Sequence, residues 1–169
     1  MSLRTILLVD GNQHERERVA VSLRKEIDCV VVEADNPETA LEILAKEPVS
    51  LLITELFLPH KSGLELIREL PKINPEIVSM TVIPHDHREL EVETLKLRAF
   101  FYIHTPYDFA EAVIGASRAL RFYDLRLHGE PRGTQIRKKD GFFGIIGTAP
   151  PMENLYRMVE KVAADGEST

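Results

Sequence analysis

The stretch Ile6-Leu7-Leu8-Val9-Asp10-Gly11 places four apolar residues directly before an acid and a glycine. A short apolar run that ends at a turn residue is typical of a buried strand in a parallel sheet. Four similar runs follow along the chain, at Val30 to Ala34, Leu51 to Thr54, Ile77 to Val82 and Phe101 to His104. The sequence therefore predicts five buried strands.

Segments with helical spacing follow each predicted strand. In the first segment Val19, Leu23 and Ile27 recur every four residues, which places them on one helical face. The predicted helices are Gln13 to Lys25, Pro37 to Lys46, Gly63 to Leu70, Arg88 to Leu97 and a long helix from Asp108 to about Leu127. This alternation predicts an α/β domain over residues 1–127, with a doubly wound five-stranded parallel sheet between two layers of helices.

The composition limits the classes of function. The chain has 169 residues, of which 44% are hydrophobic, enough for one core and a short appendage. Its 27 acidic and 21 basic residues give a net charge of -6, which argues against direct DNA binding. It has a single cysteine and opens without a long apolar segment. We therefore expect a cytoplasmic protein that neither binds DNA directly nor enters a membrane.

The residues just after the strands are the candidates for a functional site. In an open parallel sheet, ligands bind beyond the carboxyl ends of the strands, where the winding direction reverses. The candidates at this edge are Asp10, Gly11, Glu55, Ile83 and Thr105. Acids at two strand ends would lie close together if the strands are neighbours.

Several motifs, taken in order, resemble those of response-regulator receiver domains. Leu58 to Leu64 is similar to the family's loop after the phosphoacceptor, and Lys96 to Ala99 is similar to its Lys-Leu-Gly-Ala-like turn. Tyr102 and the pair Thr105-Pro106 stand where the family places its switch aromatic and its Lys-Pro pair. The resemblance covers Arg4 to Leu127 and implies a flavodoxin-like (CheY-like) fold.

The resemblance also implies where the family's aspartyl-phosphate chemistry would lie. That chemistry needs a carboxylate nucleophile, two more acids for Mg²⁺, a lysine and a hydroxyl. This chain has Glu55 at the nucleophile position, Gly11 at the second acid, Ile83 at the hydroxyl and Thr105 at the lysine, and it keeps Asp10 and Tyr102. We therefore expect a vestigial phosphorylation site with no catalytic residue and no bound metal.

Two alternatives for this edge of the sheet stay open. Glu55 is either a permanent mimic of the phosphorylated state or a vestigial acid. The second is favoured, because the sensing hydroxyl is replaced by the apolar Ile83 and the lysine by Thr105, which leaves a mimic little to pull on. Four histidines, His60, His85, His87 and His104, are expected on loops at the same face and could bind a transition metal. Their spacing lacks a strong metal motif, which favours scattered polar residues.

The sequence after residue 127 predicts a linker over residues 128–141, because it contains glycines, a proline and a basic cluster but no periodicity. The segment 142–169 contains Gly144-Ile-Ile-Gly-Thr-Ala-Pro-Pro-Met152, followed by Leu155-Tyr156 and Glu160-Lys-Val-Ala163. These residues resemble the opening of the AAA+ domain of sigma-54-dependent activators. No phosphate-binding loop follows in this chain, so ATP and Mg²⁺ are expected only for the remainder of such a domain. We expect the chain to be a fragment that needs no cofactor.

The long last helix predicts a dimer. Six apolar residues at alternating spacings of four and three form a heptad-like stripe, namely Phe109, Val113, Ala116, Leu120, Tyr123 and Leu127. A helix that covers such a sheet needs only three to four turns, so Leu120, Tyr123 and Leu127 are expected to project past it. A second copy would cover them, and the alternative cover is the segment from Phe142 to Ala164.

The resemblance implies a function in two-component signal transduction. We expect a receiver-like module of an NtrC-like, sigma-54-dependent transcription activator, which is not an enzyme. It would control an adjoining AAA+ ATPase, and through it sigma-54 RNA polymerase, by protein contacts without normal phosphorylation. The alternatives are a phosphorylatable receiver with an altered acceptor, or a small-molecule sensor. The sequence leaves open the effector or kinase, the sign of regulation, the target genes and any DNA-binding domain.

Overall fold

The structure, a computed structural model, describes residues 3–129. Its strands are β1 (Arg4–Val9), β2 (Cys29–Ala34), β3 (Leu51–Glu55), β4 (Val78–Pro84) and β5 (Phe101–Thr105). Its helices are α1 (Gln13–Glu26), α2 (Pro37–Lys46), α3 (Gly63–Ile73), α4 (Leu90–Lys96) and α5 (Phe109–His128). The predicted linker and the segment 142–169 lie outside the described residues.

The strands form one parallel sheet in the order β2-β1-β3-β4-β5. Side chains of β1 alternate between the two faces of the sheet, as the period of a strand requires. Ile6 and Leu8 pack in one core with residues of α1 and α5, while Leu7 and Val9 pack in a second core with residues of α2 and α3. The predicted α/β fold with helices on both faces is confirmed.

Polar side chains at the amino ends of the helices explain where most helices begin. Asn12 accepts hydrogen bonds from the backbone N–H groups of His14 and Glu15, and Asp108 does the same for Ala110 and Glu111. Such caps satisfy backbone donors that the first helical turn leaves unpaired. The residue just before each of these helices therefore determines where the helix begins.

Two helix boundaries differ from the prediction by more than one residue. The predicted end of α3 at Leu70 is wrong, because the helix continues through Pro71 to Ile73. Pro71 has no backbone donor and therefore removes one hydrogen bond of the helix, which ends two residues later at Ile73. The predicted start of the fourth helix at Arg88 is also wrong, since α4 begins at Leu90 and has no side-chain cap.

The long helix α5 is packed into the core further along its length than predicted. Ala116 is fully buried and Leu120 is 6% exposed, and both belong to the core that β1 and β4 share with α1. The prediction that Leu120 projects past the sheet is therefore wrong. Leu127, by contrast, is 45% exposed. Phe109, Val113 and Tyr123 are half-buried and pack against the same core.

The close packing of α5 has a visible cause. A side chain at Gly115 would come within 2.8 Å of the Met80 side chain and 2.9 Å of the Phe101 ring. The glycine therefore lets α5 approach β4 and β5 closely enough to bury the following turns.

Within residues 3–129, no helix is long and apolar enough to cross a membrane.

Candidate functional site

The carboxyl ends of β1 and β3 bring two acids together. Val9 and Thr54 are paired in the sheet, so the residues that follow them, Asp10 and Glu55, lie side by side. The Glu55 carboxylate is close enough to share a hydrogen bond with Asp10 and to accept one from the backbone of Gly11. Three of the sequence-predicted site residues therefore meet in one crevice.

Asp10 is held rigidly in this crevice. It is 2% exposed, and each of its carboxylate oxygens accepts a hydrogen bond of 2.7 Å, Oδ1 from the backbone N–H of Asn12 and Oδ2 from the hydroxyl of Tyr107. Burial, with the adjacent Asp10 charge, raises the pKa of Tyr107 far above its usual range. Tyr107 therefore stays protonated and acts as a donor to Asp10.

Glu55 carries the strongest electrostatic conflict in the crevice. Burial, followed by the charge of Asp10 and their mutual hydrogen bond, raises the pKa of Glu55 to about 7. Two neighbouring carboxyl groups with little solvent cannot both ionise freely. A proton thus does part of what a metal ion or a lysine would do beside two acids. The strand that could supply a lysine at this edge, β5, ends instead at Thr105.

Two glycines of the crevice differ in the space around them. A side chain at Gly11 would make ordinary contacts, at 3.5 Å from Pro59 Cδ and 3.9 Å from the Asp35 carbonyl oxygen. A side chain at Gly63 would lie 2.1 Å from the backbone oxygen of Glu55, which is impossible without moving the backbone. A Cβ therefore fits at Gly11 without displacing its neighbours, while Gly63 lets the β3–α3 loop lie against β3.

Ile83 fills the position where the resemblance implies a hydroxyl. It is fully buried in a small apolar cluster with Leu56 and Leu64. Leu90, Leu97 and Tyr102 pack against this cluster from α4 and from β5. Ile83 therefore lies near Tyr102 but offers it no hydrogen-bonding partner. We call this group of six residues the Ile83 cluster.

The Tyr102 hydroxyl instead contacts α4. It donates a hydrogen bond of 3.3 Å to Oε2 of Glu91, and Oε1 of the same carboxylate lies 2.9 Å from Nε2 of His104. Burial, then the Glu91 charge and hydrogen bond, raises the pKa of Tyr102 to about 12. One acid on α4 thus holds two neighbouring side chains of β5.

The sequence did not identify Glu91 or Tyr107 as site residues. Tyr107 follows the Thr105-Pro106 pair at the end of β5. Its position just past a strand end was the one feature of the sequence that could have indicated a site residue. Glu91 has no signal in the sequence, because acids in the first turn of a helix are common. Its role depends on two side chains that are more than ten residues away.

The four histidines do not converge on one site. His104 lies within β5 and not on a loop, and its ring makes an edge contact with His85 at 5.7 Å between centroids. His87 lies apart, 3.0 Å from Glu89 and against Phe57, and His60 stands in the β3–α3 loop. Within residues 3–129, no three His, Cys, Asp or Glu side chains are placed to hold a metal ion.

A doubly wound α/β domain with acids at the ends of the neighbouring strands β1 and β3 belongs to the class of open parallel-sheet proteins whose functional sites lie at the strand ends. Comparison with known families makes the class specific: residues 6–114 match the response regulator receiver domain. The chain belongs to this family, whose members are signalling modules and not catalytic enzymes.

Relatives and solved structures agree with this assignment. The chain is 29% identical over 164 residues to the response regulator protein PilR of Pseudomonas aeruginosa, covering 96% of this chain and 34% of the relative. It is 26% identical over 129 residues to the DNA-binding transcriptional regulator NtrC of Escherichia coli, covering 76% of this chain and 27% of the relative. The chain thus spans about a third of the length of these relatives.

Two solved structures share the fold. A CheY-like receiver domain protein from Methanospirillum hungatei superposes with a TM-score of 0.68 at 23% identity, covering 74% of this chain and 99% of the other. The receiver domain of NtrX from Brucella abortus superposes with a TM-score of 0.65 at 26% identity, covering 69% of this chain and 98% of the other. The CheY-like fold predicted from sequence is thereby confirmed.

Proposed function

We propose that this chain is a pseudo-receiver, which regulates an adjoining AAA+ ATPase in an NtrC-like, sigma-54-dependent activator by protein contacts and without aspartyl phosphorylation. The similarity to PilR and NtrC supports the class of regulator. The regulated domain, sigma-54 RNA polymerase and a cytoplasmic location follow from that similarity. ATP and Mg²⁺ belong to the ATPase and not to this module.

The observation that carries the proposal is the crevice at the ends of β1 and β3, where Asp10 and Glu55 lie side by side without the lysine, the hydroxyl and the second acid that the family's chemistry needs. A phosphoacceptor must be an ionised nucleophile, and about half of Glu55 is protonated at a pH near its pKa of about 7. Removal of one positioned stabilising group typically costs about 100-fold to 1,000-fold in rate. Here the lysine, the hydroxyl and the second metal acid are all replaced, by Thr105, Ile83 and Gly11.

The second support is the Ile83 cluster. A receiver that responds to phosphate needs a polar group that senses it and transmits a movement to the switch aromatic. Ile83 is fully buried among apolar side chains, and the Tyr102 hydroxyl is already engaged by Glu91. Phosphate at Glu55 would therefore have no polar group to pull on along this route.

The proposal is tested by incubating the chain with a small phosphodonor and Mg²⁺ and measuring its intact mass. We expect no adduct on the wild type. The matched control is the rebuilt variant with Gly11→Asp, Glu55→Asp, Ile83→Thr and Thr105→Lys, which should gain an acid-stable, hydroxylamine-sensitive phosphate. A Cβ at Gly11 would make only ordinary contacts, so the first of these substitutions causes no clash at the backbone. A phosphate on the wild type that is lost in Glu55→Gln would overturn the proposal and establish a receiver with an altered acceptor.

Magnesium binding gives a second measurement of the same proposal. Strong Mg²⁺ sites need several carboxylate oxygens in octahedral geometry, so we expect the wild type to bind Mg²⁺ no tighter than about 1 mM. Titration calorimetry of the wild type beside Gly11→Asp measures the contribution of the missing acid. Tight binding by the wild type would contradict the pseudo-receiver assignment.

We further propose that the module dimerises through the exposed carboxyl-terminal part of α5. The prediction included six residues, of which Ala116 and Leu120 are buried within one chain and cannot contact a partner without unfolding. Leu127, with its exposed neighbour Leu125, remains available. This narrower surface supports contact between two α5 ends.

A further inference from the structure

Strand β2 lies at one edge of the sheet, with β1 on one side and no strand of residues 3–129 on the other. The backbone N–H of Asp10 donates a hydrogen bond of 3.1 Å to the carbonyl oxygen of Ala34. Because alternate residues of a strand bond to the same neighbour, the backbone groups of Cys29, Val31 and Glu33 point away from β1. We call the backbone groups of these three residues the outer edge of β2. An unpaired edge of this kind is a template for pairing with a strand of another chain.

The sequence of β2 gives its outer edge little protection. The strand Cys29–Ala34 contains three valines and one charged residue, with no lysine, proline or glycine. Its register with β1 is continuous from Arg4 to Val9. Edge strands are commonly protected by lysine, proline or a β-bulge, and short segments with high β-propensity and low charge pair readily with copies of themselves. Protection of β2 therefore has to come from outside the strand.

Arg24 on α1 provides such protection. Its Nη2 donates a hydrogen bond of 2.8 Å to the carbonyl oxygen of Val31, at the centre of the outer edge. The same nitrogen lies 3.0 Å from Oε1 of Glu33. A strand added to β2 would donate its own N–H groups to the outer edge. It would therefore have to compete with the Arg24 guanidinium for the Val31 oxygen.

Glu33 keeps Arg24 in this position. Its Oε2 lies 3.5 Å from Nε of Arg16, and the two side chains are 26% and 14% exposed. Arg16 is itself held, because its Nη1 donates a hydrogen bond of 2.6 Å to the carbonyl oxygen of Asp10. Hydrogen bonds between charged groups are stronger when they are partly enclosed than when solvent screens them. The Glu33 carboxylate thus joins an enclosed arginine near the crevice to the exposed arginine at the sheet edge.

We propose that Arg24 is a gatekeeper residue that closes the outer edge of β2 to a second copy of this chain, and that Glu33 positions it. A second copy fits this edge because two antiparallel β2 strands can meet about a two-fold axis at Val31. In that arrangement each Val31 faces its equivalent, and Cys29 of one copy faces Glu33 of the other. Each of these pairs would exchange two backbone hydrogen bonds, so the outer edge is complementary to itself.

The gatekeeper has a consequence for assembly, which rests on the proposed contact between the α5 ends. A chain that could pair through α5 and also through β2 would link one dimer to the next. Two different two-fold contacts on one subunit extend an assembly beyond two copies. By closing β2, Arg24 limits the assembly to the contact made by α5.

Sedimentation velocity of the full chain tests the gatekeeper by comparing Arg24→Ala with Lys25→Ala. Both variants are made in a Leu127→Asp chain, so that the α5 contact contributes little to the result. Lys25 is the next residue of α1, its side chain is 77% exposed, and its loss changes the net charge by the same amount. Pairing no longer has to break the hydrogen bond from Arg24, so we expect Arg24→Ala to self-associate about tenfold more tightly than Lys25→Ala.

Two further measurements assign the association to β2. Hydrogen-deuterium exchange of Arg24→Ala should show protection of β2 amides that increases with protein concentration. Adding Val30→Lys should reverse the gain, because Val30 is 42% exposed and a lysine on an edge strand opposes pairing. Equal association of Arg24→Ala and Lys25→Ala would overturn the proposal, and so would association of Arg24→Ala without protection of β2.

A second substitution keeps the test decisive if Arg24→Ala does not fold. Arg24→Met retains the apolar stem of the side chain and removes only the guanidinium. It should self-associate as Arg24→Ala does, and a folded Arg24→Met that behaves like Lys25→Ala would overturn the gatekeeper. None of these outcomes bears on the phosphodonor experiment, and the Leu127→Asp background separates them from the α5 contact.

Discussion

The crevice at Asp10 and Glu55 and the Ile83 cluster lie at the same edge of one sheet. They differ in how well their side chains are packed and paired. In the crevice two acids face each other, one of them retains a proton near neutral pH, and the space beside Gly11 is open. In the Ile83 cluster apolar side chains fill the interior, and the Tyr102 hydroxyl has a partner in Glu91. We therefore expect the Ile83 cluster to contribute to the free energy of unfolding, whereas the two neighbouring carboxyl groups of the crevice lower it.

The largest expected difference in stability between the two regions comes from truncating one residue in each. Ile83→Ala should lower the free energy of unfolding by about 3 kcal/mol, because it removes a fully buried side chain and leaves a cavity. Glu55→Ala should cause no loss of stability at pH 7, because it removes a half-buried carboxyl group whose charge is unfavourable beside Asp10. Urea titration of both variants measures the two values, and equal losses would show that the crevice is also structural.

The hydrogen bond from Tyr107 to Asp10 is the stabilising contact of the crevice. Tyr107→Phe keeps the ring and removes the hydroxyl, so Asp10 loses one of its two donors while it stays buried. We expect a loss of about 2 kcal/mol, the range for a hydrogen bond to a charged group. Thermal unfolding beside Tyr123→Phe, a half-buried tyrosine of α5 outside the crevice, provides the control. A loss of stability no greater than that of Tyr123→Phe would show that the Tyr107 hydroxyl does not stabilise the crevice.

The proton held by Glu55 predicts a dependence of stability on pH. The pKa of Glu55 is raised from 4.5 to about 7 in the folded chain, so folding is favoured by proton binding. This contribution is fully present below about pH 4.5 and is lost as the pH rises through 7. Gln carries no charge, so Glu55→Gln should be more stable than the wild type at pH 8 by about 1 kcal/mol, allowing for solvent screening.

Chemical denaturation at several pH values checks this sign. The two chains should have the same stability near pH 4.5 and diverge as the pH rises. A constant difference over the whole range would mean that the substitution acts through packing. A wild type that gains stability towards pH 8 relative to Glu55→Gln would contradict the raised pKa.

The smallest expected effect on stability is at the far end of α5. Leu127→Asp changes a side chain that is 45% exposed, so the free energy of unfolding should change by about 0.5 kcal/mol or less. The same substitution should shift a dimer towards monomer in sedimentation equilibrium, because it places like charges at the contact. Arg121→Asp, an exposed change earlier on α5, is the control. A wild type that is monomeric at tens of micromolar protein would refute the dimer.

Sequence reasoning located the sheet because each strand is a short apolar run that ends at a turn residue. It also placed Asp10 and Glu55 together, since neighbouring parallel strands end at one edge. It misjudged Leu120 because a heptad stripe does not reveal how closely a helix approaches the sheet. That approach depends on Gly115 and the space around Met80 and Phe101.

The contacts of Tyr107 and Glu91 were beyond sequence reasoning for a different reason. Both join residues from separate elements, and Tyr107 lies 97 positions from Asp10. A pattern along the chain cannot report a hydrogen bond between side chains that meet only after the strands align. The residue types at the strand ends led to the prediction of a vestigial site, but they did not predict which contacts hold those positions.

Gly63 shows why one residue of a motif can persist in a chain for a reason unrelated to phosphate chemistry. Because the backbone oxygen of Glu55 occupies the place of a side chain at this position, any larger residue would damage folding itself. Selection for a folded chain alone would thus preserve the glycine, whether or not the neighbouring acid accepts a phosphate. The presence of this glycine in a newly read genome is therefore a marker of ancestry and loop shape, and activity must be inferred from the acids, the lysine and the hydroxyl around it.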